Sequence, residues 1–576
     1  MKKLLYFTIL VSTISTQAQT INGGFLDINN IKAGINADGS LFNSYGTSFV
    51  QEFEVPKGSG RHTFFSDNLW IGGVDASSTI KLGAQTYRQT GTDFFPGPLN
   101  SSAMTNASTM AAFNRVWKVD KCGIDTYLTW LSSGSVGANP TDSATMEAIA
   151  TWPAFSPYGA PLAPFVDANL NGVYDPFAGD YPLIKGDQAV FFVYNDIGNI
   201  HTETGGAAIG VEIQGMAYGY SCTNDSALYN TIFTNYKIIN RSSFRLDSVF
   251  IGNWSDFDIG SASDDFVGSD VTRSTYYGYN GDLVDDFPPA GQLTYGANPP
   301  SQGVVFLQGP YADPNGIDDP ASSTPNGTNY GDLIVDNERL GMSKFVYYNN
   351  DGTVVGNPSG AVDYYNYLGG YWRDGTSMTY GGVGHLTGVP CDYMYPGTSD
   401  PLYFGTNGTP EPNWSEETSG DVPADRRGLG SSGPFTFQPG AVQDITFAYV
   451  YGRATSGGNL ASVAVMKERI DSVKQKFNAG ITTCGCVTST GIHNYEDNNS
   501  VSIYPNPATD NIIINYTSSS KNVSVKIYDA TGRLVKVINN TRSGENNIGI
   551  SELDKGLYLI NIMDGKTSVT KRFIKE

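Results

Sequence analysis

Histidines and the motifs that activate a nucleophile are nearly missing from this chain. Only His62, His201, His385 and His493 occur in 576 residues, with no Gly-x-Ser-x-Gly and no His-Glu-x-x-His segment. A strained serine elbow and a helical zinc pair are therefore excluded. The glycine run Gly381-Gly382-Val383-Gly384-His385 sits among tyrosines, without the strand and helix that a phosphate-cradling loop requires. Positive charge is short as well: 35 Lys and Arg stand against 56 Asp and Glu, a formal net of −21. Phosphate backbones and anionic membrane surfaces are gripped by clustered Lys and Arg, which excludes nucleic acid as a partner. After the first residues no apolar run is long enough to cross a bilayer as a helix, so no transmembrane segment is expected.

Cysteine is sparse and odd in number: Cys122, Cys222, Cys391, Cys484 and Cys486. At least one thiol stays unpaired unless a bridge forms between chains. Cys484-Gly485-Cys486 is too tight for an easy mutual disulfide. One of the two pairing with Cys391 or Cys222 is allowed in an oxidising compartment, and the lone Cys-x-Cys lacks the partner spacing of a metal site.

What the chain has in quantity is glycine (67), tyrosine (35) and phenylalanine (29), with only 16% charged residues. That is the composition of a turn-rich β-protein. Short strand patterns run from Ile21 to about Asn114, including Thr63 to Gly73. A looser Ser/Thr/Ala-rich stretch from Ser101 to Glu147, surrounding a more apolar core at Arg115 to Val119, reads as loop plus one short helix. Strands resume at Ala189 to Asn195, a continuous apolar run suited to burial on both faces, then at Gly210 to Tyr220, Asn230 to Asn240, Ser248 to Trp254 and Ala441 to Tyr451. One helix is clear. Leu460, Val463, Met466, Ile470, Val473 and Phe477 recur at three- and four-residue steps before an Asn478-Ala479-Gly480 stop. The expected fold is all-β: a large β-sandwich ectodomain of one or two subdomains with one late helix, plus a small C-terminal immunoglobulin-like β-sandwich.

Both ends of the chain read as addresses. Lys2-Lys3, the apolar run Leu4 to Val11, and Thr16-Gln17-Ala18 form a secretory signal peptide cut after Ala18. From Val501 onward, apolar runs such as Asn511 to Tyr516, Val523 to Tyr528, Leu534 to Ile538 and Leu557 to Ile562 are separated by turn residues. Gly532 supplies the positive φ of a tight hairpin at Asp529 to Arg533. This segment holds ten Lys and Arg against seven Asp and Glu, a net of +3, so a chain of −21 leaves −24 before it. Tyr504-Pro505-Asn506-Pro507, Gly532-Arg533, Leu553-Asp554-Lys555-Gly556-Leu557-Tyr558 and Lys571-Arg572-Phe573-Ile574-Lys575 resemble, in order and spacing, the C-terminal sorting domain of the type IX secretion system of Bacteroidota.

That resemblance implies export across the outer membrane by the type IX machinery as partner, followed by release or attachment at the outer cell surface. Leu69 to Gly73, Phe94 to Leu99, Ala163 to Asp167, Gly179 to Gln188, Asn240-Arg241-Ser242 and Trp372 to Gly375 also resemble a family of large exported Bacteroidota proteins, which brings no activity with it. The divisions expected are a signal peptide over 1–18, an ectodomain over 19–480 that can subdivide near 150–185, a linker over 481–500, and the sorting domain over 501–576.

Chemistry is sought among the aspartates. Asp167, Asn169, Asn171, Val173 (through its carbonyl) and Asp175, with Gly172 at the sharp turn, follow calcium-loop spacing. Position twelve is Ala178, so Asp180 is the substitute ligand, and the loop is similar to those of dockerins and thrombospondin-type repeats. A second set, Asp256, Asp258, Asp264, Asp265 and Asp270, followed by Asp282, Asp285 and Asp286, needs a cation or Arg273 to offset its repulsion. Asp313 to Pro320 reads as a plain turn. Tyr364 to Gly375 offers either an aromatic platform for sugar rings or strand and core. The function expected is an exported, calcium-stabilised β-sandwich protein that binds or adheres to a glycan or surface partner. The alternative is a secreted glycosidase using carboxylates of the Asp256 to Asp270 loop, or Glu416, Glu417 and Asp425 near Trp414.

Overall fold

The fold is seen in a computed structural model, which describes residues 21–44, 50–87, 91–135, 139–286, 293–485, 501–516, 523–529, 533–541, 543–563 and 568–576. The signal peptide, Cys486, the polar segment 487–500 and Gly532 lie outside them. The chain forms two compact units, Met1–Val487 and Thr488–Glu576.

In chain order the strands of the first unit's two large sheets are β1 (Phe64–Val74), β2 (Ile80–Gly83), β3 (Phe95–Pro96), β4 (Trp117–Asp120), β5 (Gln188–Asn195), β6 (Val211–Gly219) and β7 (Thr231–Asn240). They continue as β8 (Leu246–Phe257), β9 (Asp265–Asp270), β10 (Thr275–Asn280), β11 (Ser301–Gln308), β12 (Lys344–Asn349), β13 (Arg426–Phe437) and β14 (Val442–Gly452). One sheet has the order β12-β13-β8-β1-β2. The other runs β9-β10-β11-β14-β7-β6-β5-β3, with β4 also paired to β5, and every pairing in both is antiparallel.

β5 shows why the long apolar runs exist. Val190, Phe192 and Tyr194 face the first core, which fills the space between the sheets with Trp70, Ile251, Trp254 and Phe447. Ala189, Phe191 and Val193 face a second core on the other side. With a period of two and both faces covered, every position must be apolar or hydrogen-bonded, and all eight residues of β5 are buried. The two sheets meet through rings such as Tyr276 against Phe345, centroids 5.2 Å apart. That approach depends on Gly430 in β13, where a Cβ would sit 2.7 Å from the Tyr276 ring.

The second core is roofed by helices, which are more numerous than the late helix and the one short helix expected. The late helix, α4 (Gly458–Ala479), is present and buries Val463, Met466, Ile470 and Val473, while Leu460 stays exposed. Gly480 ends it at φ +81°. α1 (Lys121–Ser132) and α2 (Ser143–Ala150) occupy the stretch expected to be mostly loop. Asp120 and Asp142 cap them by accepting backbone N–H groups. The tyrosine run forms α3 (Ala361–Leu368), not a strand, with Tyr364, Tyr367 and Leu368 buried.

Cys222 and Cys484 form a disulfide across 262 residues, with Cα atoms 5.3 Å apart. Cys122 is also disulfide-bonded, and Cys391 is a free, buried thiol. The second unit is a small all-β domain. A three-stranded sheet of Val501–Tyr504, Asn511–Tyr516 and Gly544–Gly549 and a four-stranded sheet of Leu534–Thr541, Val523–Asp529, Gly556–Met563 and Ser568–Lys575 share a core of Ile512, Ile514, Val525, Ile527, Ile560 and Phe573.

Candidate functional site

Three aspartates converge where β8 runs out beside the start of β13. Antiparallel register sets Asp256 opposite Arg427, and Asp258, two residues after Asp256, and Asp425, two residues before Arg427, lie just beyond the ends of the two strands. Side chains two apart share a face, so all four groups gather on one side of the sheet. Asp256, Asp258 and Asp425 each offer a carboxylate oxygen within 4.8 Å of the others. Arg427 lies among them, with Nη2 3.2 Å from Asp256 Oδ2 and Nη1 2.6 Å from Asp425 Oδ1. The Tyr87 hydroxyl donates to Asp256 Oδ2 at 2.6 Å and accepts from Arg427 Nε at 2.7 Å. Gln51 donates to Asp258.

Burial governs the electrostatics. Asp256 and Asp258 are 2% and 3% exposed. Loss of solvent pushes Asp256 up to about 7, against the opposing pull of Arg427. Asp258 is driven well above the carboxylate range, first by burial and then by its two aspartate neighbours. Asp256 Oδ1 is buried without a hydrogen-bond partner.

The other aspartates of that sequence cluster go elsewhere. Asp270 is drawn off by Arg273 and Lys467, each 3.0 Å from its Oδ2, and these two cations hold it below its usual range although burial opposes them. Asp265 accepts the Ile259 N–H at 2.9 Å, and Asp285 accepts those of Ser261 and Tyr295. Burial raises Asp264, Asp265 and Asp285. A single five-aspartate site is not formed: Asp256 and Asp258 instead meet Asp425, far away in sequence.

Beside the cluster a surface cavity of about 430 Å³ is lined by Asn349, Asn350, Asp351, Asp421, Asp425 and Arg426, among others. Glu416 is fully buried behind it, paired with Arg426 at 2.7 Å and accepting the Val267 N–H at 2.7 Å. Desolvation lifts it to about 7. Glu417 accepts the Tyr279 hydroxyl at 2.6 Å. Trp414 is buried and donates to Ser419. No sugar platform forms from the Tyr364 to Gly375 run, whose Trp372 is fully buried, although Tyr371 is exposed.

The Asp167 to Asp180 loop is tied by its own side chains. Asp167 accepts from Asn171 N and Gly172 N, Asn169 from Asn171 N, and Asn171 from Val173 N. Gly172 sits at φ +76°. Asp180 is fully buried and closes the loop, accepting Ala168 N at 2.9 Å and Asp175 N at 2.7 Å. Asp313 leaves its turn to accept from Thr436 N and its hydroxyl. His201 lies buried between Asp93 and Asp196, with Nδ1 3.5 Å from Asp93 Oδ2.

A family profile described as "Secretion system C-terminal sorting domain" matches residues 502–576. The second unit is a secretion sorting domain. It marks the chain for export and for secretion or attachment at the outer surface, with the secretion machinery as the sorting domain's partner. Among the described residues no helix is long and apolar enough to cross a membrane. No curated protein matches the chain. Among solved structures a polysaccharide lyase is 8% identical, over 63% of this chain and 34% of that one, with a TM-score of 0.18. The chain spans about a third of that protein's length, and a likeness at that score bears on neither fold nor activity.

Proposed function

We propose that this exported protein is a calcium-stabilised binding protein whose cleft beside Asp425 takes a hydroxyl-rich ligand, a glycan of the cell surface or its surroundings. The observation that carries this reading is the cleft's lining. Asn349, Asn350, Asp351, Asp421 and Asp425 bring amide and carboxylate groups together on an open face. Such groups pair with sugar hydroxyls in both directions. The proposed calcium ligands are Asp167, Asn169, Asn171, the Val173 carbonyl, Asp175 and Asp180. Oxygen-only donors suit a hard cation, and the sorting domain sends the chain outside the cell.

A glycosidase is the second reading, favoured by the approach of Asp258 and Asp425, since acid and nucleophile carboxyls stand about 5 Å apart in retaining enzymes. Against it, Asp258 is 3% exposed, out of reach of a polymer, and Glu416 is occupied by Arg426. Glycan-array binding with and without EDTA, run beside a hydrolysis screen, separates the two. Binding weakened by Asp421→Ala without turnover is expected. Glycan turnover abolished by Asp258→Asn overturns the binding reading, as does an array without a single bound glycan.

A further inference from the structure

We infer that Asp256, Asp258 and Asp425 form a divalent-cation site of their own, built by the pairing of β8 with β13 and separate from the Asp167 to Asp180 loop. This deepens the cation dependence proposed above and rests on it only for the identity of the ion. Two independent observations carry it. One is convergence: three carboxylates from two distant segments place oxygens within 4.8 Å of one another. The other is a vacant acceptor. Asp256 turns Oδ2 to Tyr87 and Arg427, while Oδ1, in a side chain 2% exposed, meets no donor. A buried carboxylate oxygen without a donor is costly, and a cation satisfies it where no N–H or O–H does.

The donor set is oxygen only, which selects a hard ion of the calcium or magnesium class. Arg427 stays in place on Asp256 Oδ2 and Asp425 Oδ1, at 3.2 and 2.6 Å, which leaves Asp256 Oδ1 and the second oxygen of Asp425 to the ion. Tyr87 and Gln51 then hold the ligands in position: the Tyr87 hydroxyl fixes one oxygen of Asp256, and the Gln51 amide one of Asp258. Outer hydrogen bonds of this kind orient metal-bound carboxylates. Asp425 differs from its two companions in being half-buried, so the ion enters from the cleft side.

The probes are calcium and terbium, and the protein is the full exported chain stripped with EDTA. Terbium bound here lies beside Tyr87, whose ring is 5.2 Å from Trp254, so its emission is sensitised through those rings. In an Asp167→Asn chain, which disables the loop, about one calcium equivalent and the sensitised emission are expected to remain. Adding Asp425→Asn, or Asp258→Asn, removes both, weakening binding by more than the roughly 10–100-fold that loss of an outer partner costs. Near-UV circular dichroism establishes that each chain is folded. The inference is overturned if the Asp167→Asn chain retains no calcium, or if a folded Asp425→Asn or Asp258→Asn variant keeps its affinity and emission. Loss of calcium only on Asp167→Asn leaves the loop standing and removes this site. Failure of glycan binding with calcium retained removes the function proposed above and leaves this site intact.

Discussion

Asp67 makes the stability of the first unit depend on pH in an unusual direction. It lies wholly inside the core between the sheets, accepting the Tyr449 hydroxyl at 2.8 Å, Asn253 Nδ2 at 2.9 Å and the Ser255 hydroxyl at 2.6 Å. Burial outweighs these three donors and raises its pKa from 3.8 to about 7. A carboxyl with a raised folded pKa contributes stability that is complete below pH 3.8 and lost as pH rises through about 7. At about 1.36 kcal/mol per pKa unit, roughly 2.5 kcal/mol of that contribution disappears between about pH 5 and pH 8. Asp67→Asn mimics the neutral acid, since Ser255 can turn its hydroxyl to Tyr276 at 2.8 Å and accept from the new amide.

The variant is therefore expected to be close to or below wild type in stability at about pH 5, and to gain on it by about 2.5 kcal/mol by about pH 8. Urea unfolding followed by tryptophan fluorescence reads this cleanly, because all seven tryptophans lie between Trp70 and Trp414, in the first unit. Comparing the two chains at each pH cancels the other raised carboxyls, Asp256 and Glu416 among them. A difference that stays constant with pH refutes the reasoning. So does one that moves the opposite way, which requires an ionised Asp67.

Gly452→Ala drives a Cβ to 2.4 Å from the Met466 backbone nitrogen; about 1–3 kcal/mol of destabilisation is expected in urea unfolding, and an unchanged midpoint contradicts the packing of α4 on β14. Glu416→Leu strands Arg426 in the core and is expected to cost about 3–5 kcal/mol, whereas Glu416→Leu with Arg426→Met recovers more than half of that; additive losses in the double-mutant cycle count against the pairing. Cys222→Ser opens a closure of 262 residues and is expected to lower stability by about 2–5 kcal/mol, checked by the thermal midpoint with and without reductant.

Strand positions were legible wherever the pattern was locally complete. The unbroken apolar run Ala189 to Asn195 announced burial on both faces, and both faces are covered. α4 was legible from its three- and four-residue spacing. α1 and α2 were not, because Ser, Thr and Ala dilute their periodicity, and what holds them is the second core and the caps of Asp120 and Asp142. Tyr364 to Leu368 misled for a different reason. Aromatic residues favour strands on average, yet here they pack as a helix against the first sheet, where burial outweighs propensity.

The aspartate site shows the same division at the level of single residues. Asp256-x-Asp258 and Asp425-x-Arg427 are visible as two pairs, each ready to point one way from a strand. Nothing local relates residue 256 to residue 427. Register is a property of two strands and of the apolar faces they must bury together, so the pairing appears only when the sheet forms. Asp270, grouped with the others by proximity in the chain, is taken instead by Arg273 and by Lys467 of the late helix.

By itself the sequence determined the destination and the material: an acidic, aromatic, β-forming ectodomain followed by a basic sorting domain, since those depend on composition, alternation and short motifs read in order. The tertiary structure alone decided which carboxylates meet, which are neutralised by arginine, and which oxygen of Asp256 is left without a donor. Charges interact through space, and only the pairing of β8 with β13 within one sheet brings Asp256 and Asp258 to within a few ångströms of Asp425 and Arg427.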